Sequence, residues 1–361
     1  MVSEKNIQKA GDNANQLHIE NLTVVNGITE QRARELYSEM SRKAIEDCTY
    51  EALAAASARA EAFANDLIPR VEKIESDFKS FAEPAFQFLL KSAQKTAVCS
   101  GRDADYELLS ELLVHRIRRG SERKTSASIA KAVEIVDQVD DDALCGITIA
   151  HVIEYLYPIS GYIYEGLDVL ENLYDKLLYT NLPEGYSWLE HLEMLNAIKI
   201  TPFSGPKSIE NIIAKQLSGY ICTGIEKGSD NHTKAIKILR NAGLSEDGLI
   251  EHELLDGYVR LAIVNEMHLK ELEMRGPNFS RKPNENEIEA LRNVLTLYDK
   301  NTDKKELVLK AFMEEFNKRA ALKKIYEFWS KIPRAIEITP IGRVLAHANA
   351  QRCDKSIPDF T

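Results

Sequence analysis

The chain has 361 residues, of which 44% are hydrophobic and 28% are charged, and its formal net charge is −10 at pH 7. This composition provides enough apolar material for folding without disulfides or metals, and the acidic balance argues against general coating of nucleic acid. The five cysteines are odd in number and none form a C-x-x-C pair, which favours reduced thiols and a cytoplasmic protein. The opening residues lack the apolar segment of a secretory leader.

The first predicted element is a β-strand close to the start of the chain. Leu17 and Ile19, and then Leu22 and Val24, alternate with polar neighbours, which is the period-2 pattern of a half-buried strand. A single strand leaves its backbone N–H and C=O groups unpaired, so the same segment of another copy is its expected partner. The sequence therefore predicts a homo-oligomer that assembles through residues 1–28.

A long helix is predicted over residues 29–68, because an apolar residue recurs every fourth position until Pro69 follows as a stop. The row begins with Leu36 and Met40 and then becomes rich in alanine, which lets neighbouring backbones approach closely. Two interpretations stay open, which are packing within the subunit and packing against other copies. Leu36 and Met40 join the strand residues as candidates for oligomerisation.

Helical periodicity continues through a predicted main body at residues 70–275 and a smaller unit at 285–353, joined by a segment rich in turn residues. Within the main body, one helix is predicted at 248–274. Residues 335–338 alternate as a short wing-like strand, and Thr339, followed by proline, is suited to begin the last helix. The predicted fold class is mostly α, with one short strand near each end.

The most apolar stretch, residues 143–164, contains His151, Glu154 and Pro158. It therefore falls short of the roughly 20 apolar residues that a membrane span requires. Two buried helices separated by a break at Pro158 are expected instead. Aromatic residues concentrate at 155–188, which favours either core packing or a binding groove.

Signatures of catalysis are missing from the sequence, which has no P-loop, G-x-G-x-x-G, H-E-x-x-H or G-x-S-x-G motif. His191 and His252 lie beside glutamates, but adjacent helical residues point in different directions and do not converge on a metal. Arg343 and His347 approach the Arg–His pattern of HEPN ribonucleases, yet three residues separate them where that family has four to six. No catalytic, cofactor-binding or metal-binding residue is assigned.

The densest positive feature is the run at residues 115–124, whose side chains are suited to phosphate contacts. The candidate contacts to phosphate or nucleic acid are Arg116, Arg118, Arg119, Arg123 and Lys124. The alternative is a solvated helix end that complements the helix dipole. Residues 338–343 resemble the strand-to-helix close of winged-helix domains, which would favour nucleic-acid binding.

Several motifs occur in a fixed order along the chain. They are Gly11-Asp12-Asn13, then Leu112-Leu113-Val114 with Arg116 and Arg118, then Ala132-Val133-Glu134-Ile135-Val136, then Trp188-Leu189-Glu190-His191-Leu192, and finally Thr339-Pro340-Ile341-Gly342-Arg343 with Ala346-His347-Ala348-Asn349. In this order the chain resembles an uncharacterised family of bacterial cytosolic proteins. The resemblance implies an N-terminal strand before a helical body and carries no activity. A polymerising N-terminus is similar to bacterial anti-phage proteins, by analogy alone.

The sequence thus predicts a non-enzymatic, homo-oligomeric scaffold or sensor that acts in defence or stress response. One alternative is a nucleic-acid-binding or regulatory module that uses the 115–124 run and the wing-like end. Another is an enzyme whose site forms across subunits, so enzymatic activity stays open although a non-enzymatic role is favoured. The expected partners are other copies of the chain, with a protein or a nucleic acid as further candidates, and no cofactor or membrane span is expected.

Overall fold

The computed structural model describes residues 28–45, 50–119, 122–201, 204–276 and 279–360. Helices dominate these residues and the strands are short, so the predicted mostly α fold class is confirmed. The predicted N-terminal strand, with its four candidate oligomerisation residues, lies outside the described residues.

The single long helix predicted over residues 29–68 is wrong, because the structure has two helices there, α1 (Glu30–Ile45) and α2 (Tyr50–Ile74). The hydroxyl of Tyr37 donates to the carbonyl of Ala60 at 2.8 Å across 23 positions. In one straight helix, these residues would be about 35 Å apart. The chain therefore turns back on itself between them, and the alanine-rich pattern did not reveal this because alanine favours helix on both sides of the turn.

Pro69 was predicted to stop the helix, but it lies inside α2, which continues to Ile74. A proline in a helix interior costs about 3 kcal/mol, since it removes a hydrogen bond and crowds the preceding turn. Leu67, Ile68 and Val71 around it are all buried in the main core. Burial of these three side chains offsets the cost of the proline.

The main helical layers follow in chain order. Their elements are α3 (Pro84–Cys99), α4 (Asp103–Arg119), α5 (Arg123–Ile135), α6 (Asp141–Tyr155), α7 (Ile163–Leu177) and α8 (Ser187–Met194). Helix α6 is buried from Ala143 to Ile153, which agrees with the apolar stretch of the sequence. A central helix so enclosed can contact several neighbours, and it packs against α7, α8, α9 (Ile209–Gln216) and α14 (Pro340–Cys353).

The helix predicted at residues 248–274 is also wrong. The structure has strand β3 (Leu249–Glu251) and strand β4 (Tyr258–Leu261) there, paired antiparallel, and β4 also pairs with β2 (Ile225–Glu226). Gly257 lies just before β4 with φ of 78°, a left-handed conformation that helices do not contain. The apolar runs here are too short for periodicity to separate strand from helix.

The middle region contains five further elements, and the first of them is a strand that pairs with a distant part of the chain. These elements are β1 (Ile198–Thr201), α9 (Ile209–Gln216), α10 (Asp230–Asn241), β5 (Met274–Gly276) and β6 (Phe279–Arg281). The last two strands pair antiparallel, in the segment where the sequence suggested a linker. Helix α10 packs with β2 and with α11 (Glu285–Leu295) around a second apolar core.

The C-terminal part contains α12 (Thr302–Asn317), α13 (Ala320–Lys331), β7 (Ala335–Ile338) and α14 (Pro340–Cys353). The predicted strand near the C-terminus is therefore confirmed, and its partner is β1, with Ile198 opposite Ile338. As predicted, Thr339 caps α14, since its hydroxyl accepts from the N–H of Gly342 at 3.1 Å. Strand and cap together fix where α14 begins.

Gly342 explains how closely α14 approaches its neighbours. A Cβ atom at this position would lie 2.0 Å from the carbonyl oxygen of Ala197 and 3.0 Å from Cδ1 of Ile147. Only glycine allows this approach. It brings the first turn of α14 against Ala197, just before β1, and against α6, and this contact positions the site described below.

Candidate functional site

A row of polar side chains lies between the facing helices α6 and α14. His151 and Tyr155 are one turn apart on α6, and Arg343 and His347 are one turn apart on α14, so each pair shares one helix face. His151 Nε2 lies 3.1 Å from His347 Nδ1, and the ring of His151 stacks on Tyr155 at 5.0 Å between centroids. The guanidinium carbon of Arg343 lies 5.8 Å from the centroid of Tyr155. The four side chains therefore form one cluster.

The hydrogen bonds of this cluster fix the protons on both imidazoles. Burial lowers the pKa of His347 to about 4 and the pKa of His151 to about 3, so both rings are neutral at pH 7. His347 Nε2 donates to the carbonyl of Pro358 at 2.9 Å, because a carbonyl can only accept. His347 Nδ1 must then accept from His151 Nε2. This leaves the lone pair of His151 Nδ1 buried without a hydrogen-bond partner.

Arg343 lacks the partners that a half-buried guanidinium usually has. Its Nε is enclosed and makes no hydrogen bond, and among the described residues no carboxylate lies within ion-pair distance of it. Arg343 is also in the first turns of α14, where the helix dipole disfavours a positive charge. Both features make an external anion a favourable neighbour for this side chain.

Glu154 on α6 contributes a negative charge beside three cations. Burial raises the pKa of Glu154, and the charges of Lys207, Arg343 and Lys215 lower it in part, which places all three cations near its carboxylate. The amide of Gln216 on α9 donates to the backbone carbonyl of Glu154, so α9 is fixed against the end of α6. With three positive charges and one negative charge, the cluster favours an anionic group.

A third buried histidine, His115 on α4, lies on the other side of His347. Its Nε2 is hydrogen bonded to the side-chain oxygen of Gln351, and its ring packs 5.7 Å from that of His347. Burial lowers the pKa of His115 as well. Across the part of the chain that the structure describes, no three His, Cys, Asp or Glu side chains are arranged to hold a metal ion. All three histidines are buried, and their lowered pKa values keep the rings neutral at pH 7.

Three arginines of the basic run at residues 115–124 contact other parts of the chain. Arg116 pairs with Glu83 at 3.2 Å, Arg118 pairs with Asp359, and the guanidinium of Arg119 donates to the carbonyl of Phe360. The two remaining candidates, Arg123 and Lys124, are exposed at the start of α5. The structure thus gives three of the five candidate residues a role in joining α4 to other segments.

The structure also places the two oligomerisation candidates of α1 and the two histidines that lie beside glutamates in the sequence. Leu36 and Met40 are half-buried on α1, and Met40 packs against the main core. His191 Nε2 lies 3.0 Å from the carbonyl of Gln138, and His252 Nε2 lies 2.7 Å from that of Cys222, so each histidine is held by the backbone of another segment. A role for Leu36 and Met40 in oligomerisation stays a prediction.

A wide groove runs between residues 178–185 and helix α13. Its volume is about 1200 Å³, and its lining combines the aromatic residues Tyr179, Trp188 and Phe328 with charged residues of α13. The aromatic concentration in the sequence therefore contributes both to the core, as with the buried Tyr174, and to this groove. The groove is separate from the α6–α14 cluster, which contains two buried nitrogens without a hydrogen-bond partner among the described residues, His151 Nδ1 and Arg343 Nε.

Most members of the cluster are recognisable in the sequence as unusual residues, but their spacing does not show that they meet. His151 and Glu154 were treated only as interruptions of an apolar stretch, and Arg343 with His347 only as a poor match to a ribonuclease pattern. The available signal was a histidine and a glutamate three positions apart in an otherwise apolar helix. That spacing predicts a shared polar face, which needs partners when the helix is buried.

A protein-family model whose description reads ":-like" matches residues 27–359, which is nearly the whole chain. The chain therefore belongs to this family, whose description states no activity, and the expected membership of an uncharacterised family is confirmed to that extent. The segment Gly11-Asp12-Asn13 precedes the matched residues. Neither the curated proteins nor the solved structures contain a match. Among the described helices, none is both long enough and apolar enough to cross a bilayer.

Proposed function

We propose that the protein is a non-enzymatic sensor that binds a small anion, with phosphate or carboxylate groups, at the cluster formed by α6, α9 and α14. The observation that carries this proposal is Arg343, whose enclosed Nε has no acceptor. An unsatisfied buried donor costs about 1–3 kcal/mol, and an oxyanion would remove that cost with a charge-assisted hydrogen bond. Lys207 and Lys215 supply further positive charge on the solvent side, since both are exposed.

Glu154 gives the proposed site a proton linkage. Burial already raises the pKa of this carboxyl, and a bound anion nearby would raise it further by repulsion. Binding at a pH near that pKa is therefore accompanied by proton uptake, and it strengthens as the pH falls. Isothermal titration in two buffers that differ in ionisation enthalpy measures the number of protons taken up.

The first test is a calorimetric titration of the full chain with inorganic phosphate, pyrophosphate and citrate at low ionic strength. We expect saturable binding of at least one of them, and we expect Arg343→Gln to weaken it tenfold or more, about 1.4 kcal/mol. Arg334→Gln is the matched control, because Arg334 is exposed and lies outside the cluster. Saturable binding by none of the three anions, or equal losses in both variants, would overturn the proposal.

Self-assembly through residues 1–27 remains a second proposal, supported by the period-2 alternation of Leu17, Ile19, Leu22 and Val24. A scaffold built in this way would bring several anion sites together. Light scattering on the full chain should give a mass above the 40.8 kDa of one chain, and deletion of residues 1–27 should lower it. An unchanged monomer mass in both proteins would remove this proposal and leave the anion site untouched.

The nucleic-acid alternative now depends on fewer residues. Arg123 and Lys124 are exposed, whereas Arg116, Arg118 and Arg119 contact other parts of the chain. Duplex binding that falls with rising salt and with Arg123→Ala and Lys124→Ala would support it.

The thiols of Cys99, Cys145, Cys222 and Cys353 are free, which supports the proposed cytoplasmic location. A role in defence stays an analogy.

A further inference from the structure

Two buried nitrogens of the α6–α14 cluster have no hydrogen-bond partner among the described residues, and they have opposite requirements. Arg343 Nε carries a hydrogen and can only donate, whereas His151 Nδ1 carries a lone pair and accepts. His151 as a whole is only 3% exposed. A buried polar group without a partner is unfavourable, so a ligand that satisfies both nitrogens binds better than a ligand that satisfies one of them.

Both of these side chains pack against the ring of Tyr155. The ring of His151 stacks on it at 5.0 Å between centroids, and the guanidinium carbon of Arg343 lies 5.8 Å from the same centroid. Burial lowers the pKa of His151, and the positive charge of Arg343 lowers it further, so the guanidinium lies near the imidazole. Tyr155 is 45% exposed, so rotation of its side chain gives a small ligand access to both nitrogens.

The carbonyl of Pro358 keeps His151 Nδ1 an acceptor. This carbonyl receives a hydrogen bond from His347 Nε2 at 2.9 Å, so His347 Nδ1 has to accept from His151 Nε2 at 3.1 Å. If His151 Nδ1 were to donate instead, both rings would have to change tautomer, and a lone pair of His347 would then face the carbonyl oxygen. A second proton on His151 is also unfavourable, because burial lowers its pKa to about 3.

We propose, on the basis of the anion site proposed above, that its ligand is an oxyanion with a hydroxyl hydrogen of its own, of which hydrogen phosphate is the simplest. The hydroxyl of the ligand donates to His151 Nδ1, and one of its charged oxygens accepts from Arg343 Nε. An anion without a hydroxyl, such as sulfate, satisfies Arg343 Nε alone. It leaves the lone pair of His151 unpaired beside another acceptor, which is unfavourable.

Four anions separate hydrogen-bond donation from charge and size. At about pH 8, hydrogen phosphate and sulfate are both tetrahedral dianions, and only phosphate has a hydroxyl. Arsenate is larger and also has the hydroxyl, whereas methyl phosphate has the same charge and no hydroxyl. In calorimetric titrations of the full chain at constant ionic strength, we expect phosphate and arsenate to bind about tenfold or more tightly than sulfate and methyl phosphate.

The outcomes of these titrations distinguish the hydroxyl requirement from the anion site itself. Equal affinities for phosphate and sulfate would contradict the requirement and leave the anion site standing. Tight binding of methyl phosphate would do the same, and it would point to phosphate esters as ligands. Binding of none of the four anions would also contradict the requirement, and the titrations with pyrophosphate and citrate would then decide whether the anion site stands.

A substitution of His151 tests the contact itself. His151→Phe keeps a ring and removes the lone pair, so we expect phosphate to bind about tenfold more weakly, sulfate to bind as before, and the preference to disappear. His268→Phe is the matched control and should keep the preference, because His268 is also buried with an unpartnered Nδ1 among the described residues but lies between β4 and β5. A preference that persists in His151→Phe would overturn the proposed contact. The comparison of anions needs only the parent chain, so it decides the question even if His151→Phe does not fold.

Discussion

Arg260 and Arg343 are both packed over a tyrosine ring, at 5.7 Å from Tyr220 and 5.8 Å from Tyr155, yet their surroundings differ. Arg260 is 0% exposed, and all three of its nitrogens donate, to the Glu253 carboxylate and to backbone carbonyls that include those of Gly161 and Gly219. Arg343 has an enclosed nitrogen with no acceptor.

The comparison separates two uses of a buried cation. The contacts of Arg260 join strand β4 to the segment before α7 and to the segment after α9, so they fix the small sheet to the helical body. A complete set of partners belongs to a structural residue. An incomplete set, as at Arg343, is the feature expected where a ligand supplies the missing acceptor.

The largest expected effect is at Arg260. Arg260→Met should lower the free energy of unfolding by about 3–5 kcal/mol, because Glu253 would lose its partner in a largely enclosed place. Chemical denaturation followed by circular dichroism measures the change. Arg292→Met is the matched control, since the Arg292–Glu266 pair is exposed on both sides and such pairs contribute about 0–1 kcal/mol. Equal losses of unfolding free energy in the two variants would show that the fully partnered Arg260 stabilises the fold no more than an arginine of an exposed ion pair.

The histidines beside Arg343 predict a loss of stability in acid. Burial lowers the pKa of His347 to about 4 and that of His151 to about 3, so between pH 6.5 and 4 the unfolded chain binds more protons than the folded one. Stability is therefore complete above pH 6.5 and falls as the pH decreases, by about 2 kcal/mol for each histidine at pH 5. Denaturation curves at several pH values measure the slope.

His151→Gln supplies the control for that slope. The variant removes one titrating group, so the decrease in stability between pH 6.5 and 5 should be smaller than in the parent protein. An unchanged slope would mean that His151 is not the buried neutral base inferred from its contacts. The result tests the surroundings of Arg343 and not those of Arg260, because His151 contacts Tyr155, which Arg343 covers.

The smallest expected effect has the opposite sign. Arg343→Met should leave the free energy of unfolding unchanged or raise it by up to about 1 kcal/mol, because it removes a charge that has no partner and keeps the packing on Tyr155. Thermal unfolding without added anion measures this. A loss comparable to that of Arg260→Met would show that Arg343 is structural and would remove the main support for the anion site.

The sequence predicted helix best in the long apolar stretch at residues 143–164, where α6 lies, because a continuous apolar run of that length is too long for a strand. It failed at the turn between α1 and α2, where alanine favours helix on both sides, and at β3 and β4, whose runs are short. It identified β7 but not β1 as its partner, which lies more than a hundred positions away. Pairing over such distances depends on the packing of the whole chain.

The candidate site was less predictable than the fold. Arg343 and His347 were noticed as a motif, and His151 and Glu154 as polar residues in an apolar helix, but the spacing within each helix does not reveal which helices face each other. Gly342 allows that contact, and its role depends on the position of the Ala197 carbonyl, far away in sequence. The contacts of residues 354–360 with α4 likewise join residues over two hundred positions apart.

The carbonyl of Pro358 determines the direction of the hydrogen bonds made by two buried side chains, His347 and His151. It accepts a hydrogen bond from His347, which obliges that ring to accept one from His151, so both hydrogen bonds point in a single direction toward residue 358. Withdrawal of this one backbone oxygen would free both rings to reverse together and carry an N–H to the Nδ1 of His151. Nitrogen chemical shifts of His151 would thus report whether residue 358 stays in contact with His347, without any attached probe.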